Sequence, residues 1–122
     1  MKDRTTLQLK AVINKYLKKW KSNLFLGMWT INFNIRDYLG AARDEGYSTA
    51  ATCDSSWKYF TADLDFSYVQ LKDMEEKEIE KIIIHELLHI VVNEMREDGI
   101  EHEERVTSHL QMIMSWMDNA RP

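Results

Sequence analysis

Glu80-Lys81-Ile82-Ile83-Ile84-His85-Glu86-Leu87-Leu88-His89-Ile90-Val91-Val92 is the stretch on which the reading of this chain turns. It embeds His85-Glu86-Leu87-Leu88-His89, an H-E-x-x-H pattern, in a strongly apolar run. Residues four apart on a helix lie on one face, one turn up, so both imidazoles can reach one metal ion with Glu86 projecting beside them. From Ile79 to Met95 apolar residues cover nearly the whole circumference, which predicts a helix buried on most sides. Two His and a Glu inside such a helix need partners, and a metal ion supplies them.

Downstream, Gly99 follows Arg96-Glu97-Asp98 and reads as a helix stop. A last helix follows, ending near Asn119, with Val106, Leu110, Ile113, Met114 and Met117 as its inward stripe. Met112, Met114, Met117 and Trp116 read as core packing on it. Upstream, Asp73 opens the motif helix, with Glu75, Glu76 and Glu78 near its positive end. Tyr59 to Phe66 alternates as a strand, Asp54-Ser55-Ser56 reads as a turn, and Tyr47 to Cys53 as a second strand. A long connection from Arg36 through Gly46 precedes it. Trp29, Ile31, Phe33 and Ile35 alternate with polar residues as a further strand. At the start, Leu9, Val12, Ile13, Tyr16, Leu17 and Trp20 recur at helical spacing between Leu7 and Lys21, and Thr5 or Thr6 can cap that helix. The expected fold class is α+β: an N-terminal helix, a small three-stranded, mainly antiparallel sheet, a buried H-E-x-x-H helix and a C-terminal helix.

The 122 residues make one domain, large enough to hold its own core without staples. A single cysteine, Cys53, precludes an intrachain disulfide and reads as a plain thiol. No apolar run has the length of a membrane span or the core of a signal peptide, so a soluble, cytoplasmic protein without membrane contact is expected. Net charge is only −4, yet seven of the 16 basic residues lie between Lys2 and Lys21 and 12 of the 20 acids between Asp73 and Glu104. The basic N-terminal helix admits a nucleic-acid contact, but no aromatic interleaving accompanies it, and a solvated face explains it more simply.

In a zinc hydrolase, three protein ligands leave one position for water. Zinc lowers the pKa of that water from about 16 toward ~7, and a neighbouring carboxylate takes the proton. His85 and His89 suit the ligand role, and Glu86 the general base. The metzincin pattern would need Gly at position 92 and His at position 95; Val92 and Met95 exclude it. The third ligand is then sought among Glu101, His102, Glu103, Glu104 and His109. Extending the inward stripe backwards from Val106 and Leu110 selects Glu103, with Glu104 and His102 in reserve.

H-E-x-x-H followed on the next helix by E-x-x-x-[D/N] resembles the gluzincin, thermolysin-like branch of zinc metallopeptidases, the small ImmA/IrrE-type members being nearest in size. The second motif here is Glu103-Glu104-Arg105-Val106-Thr107, with Thr107 where the family carries Asp or Asn. The resemblance implies a zincin-like fold, a Zn2+ cofactor with Glu103 as third ligand, and hydrolysis of a peptide or protein substrate by a zinc-activated water. It also implies that the strand Tyr59–Phe66, just ahead of the motif helix, pairs with the substrate backbone. Asp63 and Asp65 on that strand read as solvated. His102, His109 and Tyr59 are the candidate donors to a developing oxyanion. The competing readings are a noncatalytic metal-binding interaction domain and a nucleic-acid-associated protein using the N-terminal helix.

Overall fold

The computed structural model describes residues 3–39, 49–56, 58–92 and 103–119, and the side chains of residues 103–105 lie outside that description. The turn expected at Gly99, the candidates Glu101 and His102, and the segment from Gly40 through Ser48 also fall outside the described residues.

Helix α1 (Thr6–Asn23) starts where Thr5 and Gln8 exchange hydrogen bonds in a capping box: the Gln8 N–H donates to Thr5 Oγ1 (3.1 Å) and the Thr5 N–H to Gln8 Oε1 (2.9 Å). Its expected stripe is buried, with Leu9, Ile13, Leu17 and Trp20 facing the core. Strands β1 (Thr30–Arg36), β2 (Ala51–Ser56) and β3 (Thr61–Ser67) follow, then a one-turn helix α2 (Tyr68–Leu71), which Ser67 caps. The central helix α3 is Glu76–Val91, and α4 is Glu103–Asn119. Among the described residues no helix is long and apolar enough to cross a membrane.

The sheet order is β1-β3-β2, with β3 parallel to β1 and antiparallel to β2. The sheet is therefore mixed rather than mainly antiparallel. β2 begins at the sheet end where β1 finishes, Ala51 lying opposite Phe66 and Arg36 opposite Ser67, and a tight turn returns β3 between the two. Residues 58–60 lie in that turn. Asp54-Ser55-Ser56, expected as a turn, completes β2, because these residues pair with Asp63, Ala62 and Thr61. Tyr59 and Phe60, expected to begin β3, lie in the turn, where Phe60 takes a φ of 53° and its C=O accepts from the Thr30 N–H at 2.8 Å. The Phe60 ring meets Trp29 edge-on at 5.5 Å.

One face of the sheet carries Ala62, Leu64 and Phe66 of β3, all but inaccessible, against Leu9, Ile13, Ile79, Ile83 and Leu87. The opposite face shows Thr30, Asn32, Asn34, Thr61 and Asp63 to solvent. Helices thus cover one side only, the usual outcome where strands alternate apolar and polar. Each fully buried Leu, Ile or Phe there contributes about 1.5–3 kcal/mol.

Helix α3 begins after Glu75 rather than at Asp73, and its interior face includes charged residues as well as apolar ones. Glu80 is 6% exposed. Its Oε2 accepts from Trp20 Nε1 and from Lys19 Nζ, both at 2.8 Å, and Lys19 also reaches Asp118 Oδ2 on α4 at 3.0 Å. One lysine so ties three helices. Desolvation pulls the Lys19 pKa down, but hydrogen bonds to Glu80 and Asp118 and attraction to both carboxylates outweigh it, leaving the group above its ordinary 10.5.

Asp118 lies on the inward side of α4. Thr107 is fully buried and Leu110, Gln111, Met114, Ser115 and Asp118 are half-buried, whereas Ile113 is 40% and Met117 48% exposed. The inward stripe is turned by about a quarter turn from the one that apolar spacing indicates. Met112 and Trp116, read from sequence as packing residues, are exposed in consequence.

Lys19→Met should lower the unfolding free energy by about 1–2 kcal/mol, less than a fully buried pair because Lys19 is partly exposed and Trp20 still donates to Glu80. Lys15→Met, which removes an exposed pair with Glu76, should leave the unfolding midpoint essentially unchanged. Urea unfolding of the two variants decides. The Lys19 contribution is complete below the unfolded-state pKa and is lost as pH climbs through the raised folded-state value, above 10.5.

Candidate metal centre

His85, Glu86 and His89 occupy successive positions on the last two turns of α3, held by a helix whose apolar sides leave it no freedom to rotate. Their potential ligand atoms all lie within 4.8 Å of one another. The two imidazoles stand 4.9 Å apart between ring centres, at 78°. His89 and Glu86 are nearly buried, at 6% and 7% exposed, and His85 is half-buried.

This donor set fits zinc. A tetrahedral ion with Zn–N of ~2.0–2.1 Å holds two nitrogens about 3.4 Å apart, so gathering these groups round one ion takes a side-chain adjustment on the order of an ångström.

The centre opens into a cleft of about 330 Å³. Its walls are His85, Glu86, Ile82, Glu78 and Lys81 from α3, Ala50 and Ala51 at the start of β2, and Gln111 from α4. The strand beside the motif helix is therefore β2, which among the described residues is an edge strand. The strand that sequence reading placed in that role, β3, is central and has β1 and β2 on its two sides, so it cannot accept another strand. Asp63 is exposed, as expected for a solvated position, and Asp65 forms an ion pair with Arg36 at 3.2 Å.

Helix α4 runs antiparallel to α3: Lys77 Nζ donates to Asn119 Oδ1 at 3.0 Å, and Gln111 shares the cleft with His85. Continuing this register by one turn brings Thr107 to the level of the His85–His89 turn. Thr107 Oγ1 is buried without a hydrogen-bond partner among the described residues. An orphaned hydroxyl in this place is a polar atom waiting for a group to complete it.

The candidates for the third ligand and the oxyanion donor separate in space. His109 is exposed on the outer side of α4, away from α3. Tyr59 is 77% exposed in the β2–β3 turn, at the opposite end of β2 from Ala51. Positions 103 and 104 both lie about one turn ahead of Thr107, so the rotated stripe no longer separates Glu103 from Glu104 as apolar spacing did. Gln111 was not singled out from the sequence. The signal for it is its place four residues after Thr107, which becomes informative only once Thr107 is known to face inward.

Comparison with protein-family models, with curated proteins and with solved structures returned no match to this chain.

Burying an unpaired hydroxyl costs about 1 kcal/mol or more. Thr107→Val should therefore raise the stability of EDTA-treated protein by about 1 kcal/mol, read from chemical denaturation. A loss of similar size would mean that the hydroxyl is bonded and that this account of Thr107 is wrong.

Proposed function

We propose that this chain is a minimal zincin-like, gluzincin-type zinc metallopeptidase that hydrolyses peptide bonds. The observation that carries the reading is the convergence of His85, Glu86 and His89 on one buried helix that opens into a cleft bordered by a sheet edge. A purely structural site has no use for Glu86 or for an open approach.

His85 and His89 would hold the ion from one side and Glu103, with Glu104 as the alternative, from α4. When bound, zinc supplies Lewis-acid polarisation of the scissile carbonyl and lowers the pKa of water. Glu86 then takes the proton from the attacking water and passes it to the leaving amine. The substrate lies in extended form along β2, its backbone pairing with the strand's open edge so that the scissile bond is presented to Glu86. Gln111 is the polar side chain that α4 adds to this cleft.

Zinc content and peptide hydrolysis, measured on the same preparations, test the proposal. Wild type should bind one equivalent of zinc, and Glu86→Gln should retain it while losing about 10²–10⁴-fold in turnover. His85→Ala and His89→Ala should lose zinc as well as activity. Stoichiometric zinc with the same background turnover in wild type and Glu86→Gln would leave a noncatalytic metal-binding domain instead.

A further inference from the structure

Of the five lysines of α1, Lys10 is exposed and lines neither neighbour's groove, and the other four fall into two groups. Lys15 and Lys19 turn toward α3 and pair with Glu76, Glu80 and Asp118. Lys18 and Lys21 turn toward β1, where they form no ion pair among the described residues. There they border a groove of about 440 Å³ whose other walls are Asn14, Leu17, Ile31 and Phe33. The floor is apolar and the rim is cationic.

The backbone alongside is also unfilled. β1 is an edge strand, paired only with β3 among the described residues. Because the Thr30 N–H donates to the Phe60 C=O, Thr30, Asn32 and Asn34 turn their peptide groups toward β3. In a strand these directions alternate, so Ile31, Phe33 and Ile35 turn their N–H and C=O groups to the open edge. Long open edges bind other strands unless they are blocked, and β1 contains no proline or bulge to block it.

We propose that the α1–β1 groove is a docking site for an extended acidic segment of a partner protein, which adds to β1 as a fourth strand. The segment's peptide groups bond to Ile31 and Phe33, an apolar side chain enters between Leu17 and Phe33, and carboxylates on the same face meet Lys18 and Lys21. Charge selects this occupant. A second copy of this chain pairing β1 to β1 would bring two Lys18–Lys21 rims together, and nucleic acid would leave the apolar floor and the open peptide groups unused. This site lies across the sheet from the metal centre, at β1 rather than β2, and does not depend on the peptidase reading.

The probe is the heptapeptide Thr-Glu-Thr-Ile-Thr-Glu-Thr, which when extended sets one isoleucine and two glutamates on the same face. Fluorescence anisotropy of the labelled peptide should show saturable binding that weakens with salt. The Lys18→Glu/Lys21→Glu double variant should weaken it about tenfold, and Lys18→Gln/Lys21→Gln, which perturbs the helix end less, by a smaller factor. In amide hydrogen exchange, Ile31 and Phe33 should exchange quickly in the free protein and become protected with peptide, while Asn32, already bonded to β3, stays slow throughout. Binding indifferent to both lysine pairs, protection confined to β2, or no binding at all would overturn the proposal. So would a dimer with Ile31 and Phe33 protected in the absence of peptide, or duplex DNA binding that uses the same lysines and leaves those amides unprotected.

Discussion

Three acidic or basic side chains are almost inaccessible on α3, and the rest of the molecule is arranged to make that tolerable. Taking a charge out of water costs several kcal/mol unless a partner replaces the lost hydration. For Glu80 the partners come from within the protein: the Trp20 indole and the Lys19 ammonium, the latter shared with Asp118. The two remaining groups, Glu86 and His89, sit one and a half to two and a half turns further along the same helix, next to an open cleft. The first half of α3 thus carries the internal ion pair, and its second half, equally well packed through Leu87, Leu88 and Ile90, also carries ligand atoms that an ion could use.

The fold was largely legible in the sequence, but not throughout. Apolar periodicity located α1, β1, β3 and α3 because in each the side-chain pattern and the burial obey one period, as with Leu9, Ile13, Leu17 and Trp20. It held only in part on α4: Val106, Leu110 and Met114 of the expected stripe are half-buried, but Ile113 and Met117 are exposed, while Thr107 and Asp118, which apolar spacing does not mark, face inward and Asp118 pairs with Lys19. Sequence reading failed at Asp54-Ser55-Ser56, whose turn-like composition is overridden by pairing with β3. Parallel pairing of β1 with β3 leaves no local signal at all, since it depends on where a long connection returns. At the site, His85, Glu86 and His89 were readable because helical spacing alone converges them. Residues that reach the cleft from α4 and β2, such as Gln111 and Ala51, depend on tertiary register and were not.

Placing β3 at the centre of the sheet has a consequence for both edges. A strand with neighbours on each side offers no backbone to a ligand, so any binding by strand addition must use β1 or β2. These two edges differ in what surrounds them. β2 lies beside α3, with Glu78, Lys81 and the metal centre, where a segment paired to it is held against chemistry. β1 lies beside α1, with an apolar floor and two lysines that form no ion pair among the described residues.

The uneven distribution of charge takes its meaning from this geometry. A cluster of basic residues in the first 21 positions suggests at first a single cationic face. Folding instead uses Lys15 and Lys19 to neutralise acids of α3 and α4, and so spends part of the basic end on internal cohesion. What is left beside the sheet edge is narrower than the sequence implies: Lys18 and Lys21, spaced three apart along one side of α1. Two cations beside open peptide groups recognise a short acidic strand better than a polyanion, because the backbone bonds supply a directional constraint that charge alone lacks.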